Sequence, residues 1–407
     1  MRRHDSCYGY FMDRGRRWLQ ALNFFMADMQ AGVGPFLGVF LLAHGWQSGW
    51  IGSVMTIGGV AGVLMAAPAG AWVDSSHHKR WLVVIPGACT VLASAVILLS
   101  QSFWPVALSQ VATAIAGAAI GPAVSGITLG MFRQAGFARQ TGINQAYNHA
   151  GNAVGAGLSG LLGWKLGLPA VFALAVAFAI ASIVSALSIP RRSIDDRLAR
   201  GLGDGEHSEG RARGLTVLLE CKPLLVLAAA LAFFHLGNAA MLPLYGLAVV
   251  AAKQSNPATF VASTIVVAQT TMVIASVAAI RLTHRRGLWL VLLISFVSLP
   301  IRGIIAAHII RAWGVFPVQI LDGVGAGLQS VAVPALVARI LNGTGRVNVG
   351  QGAVMTAQGI GASLSPAIGG WLAQLHGYES AFLILGGFAL PSILIWIFCA
   401  SLLRPAE

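Results

Sequence analysis

Twelve runs of about 20 mostly apolar residues follow one another along the chain, each long enough to cross a bilayer. They lie at 18–43, 48–72, 81–100, 104–132, 143–164, 168–189, 222–250, 258–281, 288–308, 312–339, 350–373 and 379–402. In hydrocarbon a backbone must satisfy its own N–H and C=O groups, and a run of this length does so as a helix. The expectation is therefore an all-α membrane protein with twelve transmembrane helices. Composition agrees: 57% of the residues are hydrophobic and only 10% are charged, where a soluble domain carries about 25% charged residues.

Most gaps between runs are short. The exception, 190–221, is rich in Gly, Arg and acidic residues and divides the runs six and six. The organisation read from this is a cytoplasmic tail at 1–17, a six-helix bundle at 18–189, a cytoplasmic linker at 190–221, a second bundle at 222–402 and a tail at 403–407. With the N-terminus inside, 22 of the 26 Lys and Arg fall on inner segments. Three (Lys165, Lys253 and Arg311) fall outside, and Arg302 sits within a run. That bias is the positive-inside pattern, so both termini are expected in the cytoplasm. A shift of one helix would destroy the alternation. It also accounts for the net charge of +13 without nucleic acid, since no basic, aromatic-rich soluble module is present. The four cysteines (Cys7, Cys89, Cys221 and Cys399) are scattered and show neither metal spacing nor a disulfide framework. The apolar run after Trp18 is too long for a signal peptide.

The halves echo one another. Gly163-Trp164 closes the fifth run and Gly370-Trp371 the eleventh; Gln110 to Pro122 mirrors Asp322 to Pro334. Internal repeats of this kind are expected of transporters built from paired six-helix bundles. The loop after the second run reads Gly70-Ala-Trp-Val-Asp74-Ser-Ser-His-His78-Lys79-Arg80. It resembles the loop signature of the major facilitator superfamily (Gly, x, Leu, Ala, Asp, Arg, x, Gly, Arg, Arg/Lys). Gly70, Asp74, Lys79 and Arg80 match, whereas Ser75 replaces the arginine and His77 the glycine. The resemblance, closest to bacterial permeases of that superfamily, implies two pseudo-symmetric bundles and a cytoplasmic gate loop at Gly70, Asp74, Lys79 and Arg80. The arginine that the family's drug/proton antiporters carry in the fourth helix is Thr113 here. Their Gly-Pro-x-x-Gly-Gly stretch is absent from Gly155 to Gly163 and appears in altered form at Ser365-Pro366-Ala-Ile-Gly369-Gly370. The drug-efflux label therefore does not carry over by motif.

Ionisable groups deep in the runs are rare: Asp28 and Asp322 among 13 acids, and Arg302 among the bases. A charge at the bilayer centre costs roughly 2.5–3.5 kcal/mol on insertion scales, so such groups face a wet cavity or one another. In the first run, Asn23 and Gln30 share a helix face, with Asp28 displaced around the helix. Arg302 and Asp322 flank the hairpin at Arg311 at similar distances and are candidates for an ion pair, either a static staple or a coupling element. The fifth run carries Asn144, Asn148 and Asn152 at spacings of four, with Gln145 and His149 beside them, a polar stripe expected to face the protein interior. His149 titrates near neutrality if accessible. The seventh run adds His235 and Asn238, the eighth Gln269, and the eleventh Gln358. Convergence of His149, His235 and Asp28 would be needed for a metal exporter, and no spacing indicates a metal.

No Gly-x4-Gly-Lys-Ser/Thr loop occurs, so ATP hydrolysis is not expected, nor is any cofactor or enzymatic activity. The expectation is a monomeric secondary transporter in a bacterial inner membrane, moving a small organic solute by alternating access with proton coupling. Export is the expected direction. Uptake of a siderophore-like or organic-acid solute, and a non-transporting sensor or scaffold, are the alternatives.

Overall fold

A computed structural model describes residues 2–31, 33–76, 78–195, 221–341 and 347–403, with the side chains of 2–12, 28–35, 67, 71, 74, 75, 134, 135, 138 and 347–349 left out. Most of the linker, at 196–220, thus lies outside the described residues, as do the side chains of Asp28, Gln30 and Asp74. No strand occurs among the described residues.

Span one consists of α1 (Arg2–Ala31) and α2 (Val33–Ala43), so the basic N-terminal segment continues the helix of the first span. Spans two and three are α3 (Ser48–Ser75) and α4 (Trp81–Leu99). Span four is α5 (Phe103–Gly117) continued into α6 (Ile120–Leu166), which also contains span five beyond a break at Arg133 (φ 55°, ψ 178°). Span six is α7 (Pro169–Ser188). Span seven is α8 (Lys222–Asn238) followed by α9 (Met241–Ala251). Spans eight, nine and ten are α10 (Pro257–Arg286), α11 (Leu288–His308) and α12 (Val315–Ile340). Spans eleven and twelve share α13 (Val347–Gly387), broken at Gly377, and continue into α14 (Ala389–Phe398) and α15 (Ala400–Leu403).

Nine stretches among the described residues are apolar and long enough to cross a membrane, and one of them, Gly350–Phe398, contains the Gly377 break and makes two passes. The first and fifth spans complete the twelve. The fifth falls short on hydropathy because of its asparagines.

Local chemistry sets the boundaries. Asn256 accepts from the backbone N–H of Ala258 and Thr259 while Pro257 occupies the first turn of α10, the arrangement that satisfies otherwise orphaned N–H groups at a helix start. Gly287 and Gly377 turn the hairpins after spans eight and eleven at φ 83°, a region that side chains with a Cβ rarely adopt.

The contacts group the chain into two compact units: Met1–Phe36 with Ala61–Glu209, and Leu37–Val60 with Gly210–Glu407. The first unit packs Leu19, Leu22 and Met26 of span one against Val73, Val83, Ile127 and Ala186 of spans two, three, four and six. In the second, span ten lies close to span eight because Gly323 and Gly327 leave room for the Ala268, Met272 and Ala275 backbone and side chains. Membrane helices gain little from burying apolar area against each other, so small residues that admit close approach carry the association.

Candidate functional site

The second unit contains a buried polar cluster on spans seven, nine and ten. Arg302 of span nine is 1% exposed. Its Nη1 donates to Asp322 Oδ1 of span ten at 2.6 Å and to Asn238 Oδ1 of span seven at 2.7 Å, and its Nη2 donates to Gln319 Oε1 at 3.4 Å. The depth argument paired Arg302 with Asp322. The two neutral oxygens follow from helix phase: Asn238 closes α8, and Gln319 lies one turn before Asp322.

Glycine leaves room at this contact. A Cβ at Gly325 would meet Ser298 Oγ of span nine and force that hydroxyl to turn away. One turn deeper, Ser295 donates to the Gly325 carbonyl at 3.0 Å and accepts from Gln329 Nε2 at 2.9 Å. His235 of span seven lies beside Gln329. Three buried atoms of this cluster have no hydrogen-bond partner: Arg302 Nε, Gln319 Nε2 and His235 Nε2. The Asp322 side chain is 15% exposed. Arg302 is thus sealed while its counter-ion touches the outside of the cluster. A buried ion pair tolerates the apolar interior only as a pair, because removing one partner leaves an uncompensated charge.

In the first unit the asparagines of span five hold helices together. Asn144 accepts from Gln140 at 2.9 Å and donates to Thr128 of span four at 3.0 Å. Asn148 donates to the Asn23 carbonyl of span one, and Asn152 donates to Asn148, both at 3.4 Å. Asn23 itself donates to the Leu19 carbonyl of its own helix at 2.8 Å. Gln145 is exposed, and His149 and Asn152 are half-buried. Gln269 and Gln358, in spans eight and eleven, are half-buried as well. His149 belongs to the first unit and His235 to the second. Among the described residues no group of three His, Cys, Asp or Glu is placed to hold a metal.

The two bases of the loop after span two cap helices. Lys79, 2% exposed, donates to the Val73 carbonyl at 3.0 Å, at the end of span two. Arg80 donates to the carbonyls of Leu187 and Ile189 at the end of span six, at 3.1 and 2.9 Å. Cations suit helix C-termini, where carbonyls lack partners and the dipole is negative. Burial and the nearby Arg191 lower the pKa of Arg80 from its ordinary value, which leaves it charged at neutral pH.

A set of contacts that sequence reasoning missed joins the start of span two to the C-terminal half of span eleven, within the second unit. Gln374 accepts from the Gly49 N–H at 3.0 Å and donates to Gln47 Oε1 at 2.6 Å. Ser48 donates to the Gly370 carbonyl at 3.1 Å, Trp371 Nε1 to Ser53 at 3.0 Å, and the Ala367 N–H to Thr56 at 2.9 Å. Pro366 helps explain the last: a bent, proline-interrupted helix is open to side chains from a neighbour. Serines and glutamines this common carry no signal of their own in the sequence.

The sequence profile of the Major Facilitator Superfamily matches residues 18–348 and 303–407. An uncharacterised MFS-type transporter of Mycobacterium tuberculosis is 38% identical over 391 residues, covering 94% of this chain and 92% of the relative. The fold is similar to the crystal structure of the nucleoside transporter NupG, with a TM-score of 0.77 at 15% identity over 94% of this chain and 98% of that one. It is also similar to a bacterial homologue of the human lysosomal transporter Spinster in an inward-facing, occupied conformation, with a TM-score of 0.69 at 15% identity over 98% of both chains. These neighbours and the relative are transporters rather than enzymes. By sequence profile, by relative and by fold, the chain belongs to the Major Facilitator Superfamily of multi-pass membrane transporters.

Proposed function

We propose that this chain is a monomeric secondary transporter of a bacterial inner membrane, with both termini in the cytoplasm. It carries a small organic solute by alternating access, with proton coupling through Asp322. The observation that carries the reading is the pair itself: a sealed guanidinium at 1% exposure held at 2.6 Å by a carboxylate that is 15% exposed. Protonating Asp322 removes the counter-charge of Arg302, so the proton has a large differential effect on whichever arrangement of spans seven, nine and ten holds the pair. A ligand shifts a conformational equilibrium only through such a difference.

In this reading Asn144 and Asn148 pack span five against spans four and one, while Gln145, His149 and Asn152 remain candidates to meet the solute. The contacts of span two with span eleven form a lock that must break when the outer side opens. Direction follows from the sign of coupling. Export against an inward proton gradient requires proton and solute to compete for the site; uptake requires them to bind together.

The test uses proteoliposomes loaded with the pH dye pyranine and challenged with a panel of organic acids, nucleosides, sugars and amphipathic cations. At least one solute is expected to move protons in the wild type and none in Asp322→Asn. Asp28→Asn serves as the comparison acid. Intact solute-driven proton movement in Asp322→Asn refutes the assignment.

A further inference from the structure

We infer that the solute carries a single negative charge, such as a carboxylate, and replaces Asp322 as the counter-ion of Arg302 when Asp322 is protonated. The inference rests on Asp322 as the coupling acid and adds the charge of the solute and the sign of coupling.

A guanidinium stays charged at every physiological pH. Arg302 is fully buried, and among the described residues Asp322 is its ion-pair partner. Its other contacts, Asn238 Oδ1 and Gln319 Oε1, are neutral. Once Asp322 takes a proton, nothing in this set balances the charge, and a buried lone charge is strongly unfavourable. An anion from outside restores the balance.

The cluster is furnished for one. Of the five N–H donors of a guanidinium, Arg302 makes three contacts, one of them long, and its Nε–H has no partner. Gln319 must turn its Oε1 toward Arg302 Nη2, which fixes its flip. Its Nε2 then points elsewhere, buried and without a partner. Two buried donors of this cluster, one of them on the guanidinium itself, therefore lack an acceptor, and a carboxylate is the acceptor that a guanidinium N–H uses best. Asp322 and Asn238 are the partly exposed members, whereas Arg302 and Gln319 are buried, so an incoming anion meets Arg302 from the side that Asp322 and Asn238 hold.

The other titratable group near Asp322 is His235 on span seven. Span eight carries its titratable groups at its end, from Arg281 to Arg286, and His376 and Glu379 lie at the hairpin of spans eleven and twelve. The site is neutral with Arg302 and ionised Asp322. It is neutral again with Arg302, protonated Asp322 and one monoanion. Proton and anion therefore enter one to one, and an inward proton gradient drives uptake.

The test is the thermal stability of the purified full chain in detergent, titrated between pH 5 and about 8 with acetate, lactate, benzoate and nicotinate, each against its own primary amide. At least one carboxylate is expected to raise Tm where its amide does not. Its affinity should fall as pH rises, by up to about tenfold per unit for one proton taken up with the anion. Asp322→Asn is expected to bind the same carboxylate without that pH dependence, and Arg302→Gln to bind it at least about tenfold more weakly. The wild-type contrast between carboxylate and amide decides even if a variant fails to fold. Equal stabilisation by the amides, no stabilisation by any carboxylate, or binding unchanged in Arg302→Gln overturns the inference. So does Arg302-dependent binding that ignores pH, which removes the counter-ion exchange. If Asp322 is needed for proton flux yet only neutral solutes bind, the inference falls while the coupling role of Asp322 stands.

Discussion

Arg302 cannot leave its charge behind, and Asp322 is the group that answers it, so the two residues are best probed as a unit. Arg302→Gln and Asp322→Asn, made singly, are each expected to destabilise the chain by about 3–5 kcal/mol, because each strands a buried charge or its shell of polar partners. The double variant Arg302→Gln with Asp322→Asn removes both charges at once and is expected to recover most of that loss. Thermal unfolding of the purified protein in detergent measures the difference. A double variant no more stable than the worse single one would show that the pair adds nothing beyond its separate side chains. Proton-coupled flux is expected to stay absent in the double variant even where stability returns, which separates the structural role from the coupling role.

Between neighbouring helices the decisive features are small. Gly327 of span ten faces Met272 and Ala275 of span eight so closely that a Cβ has no room. Gly327→Leu is therefore expected to cost about 1–3 kcal/mol through forced separation of the two spans. Gly352→Leu, at an exposed position with nothing within 4 Å of its would-be Cβ, is the control and is expected to leave the melting temperature unchanged. A second element-level contact joins spans nine and twelve reciprocally: Trp289 Nε1 donates to the Trp396 carbonyl at 3.2 Å, and Trp396 Nε1 to the Trp289 carbonyl at 2.9 Å. Trp396 is fully buried, so Trp396→Phe loses a hydrogen bond worth about 1 kcal/mol. A lower melting temperature checks it; an unchanged one means the bond adds no net stability.

For the molecule as a whole, the contacts of span two with span eleven test the proposed alternating access. Gln47 and Gln374 bond side chain to side chain at 2.6 Å. With Gln47→Cys and Gln374→Cys together, a short bis-methanethiosulfonate cross-linker is expected to stop transport by forming a disulfide with each cysteine, and reduction to restore it. Continued transport in the cross-linked protein would mean that these spans do not part during the cycle. Sidedness has its own check: an alkaline phosphatase fusion after Lys253 is expected to be active, and one after Gly205 inactive.

Spans and family were legible in the sequence because hydropathy and charge are sums over neighbouring residues and need no knowledge of the fold. Twelve apolar runs, the clustering of 22 of 26 Lys and Arg on alternate connecting segments and the Gly70 to Arg80 loop pointed to the kind of molecule this is. Depth along a helix was legible too, since rise per residue is fixed, and it pointed from Arg302 to Asp322. Partners were another matter. Helix periodicity tells which residues share a face but not which helix that face meets. Only the tertiary structure decided that Asn238 and Gln319 join Arg302, that Lys79 and Arg80 cap spans two and six, that Asn144 reaches Thr128, and that Gln374 reaches Gln47.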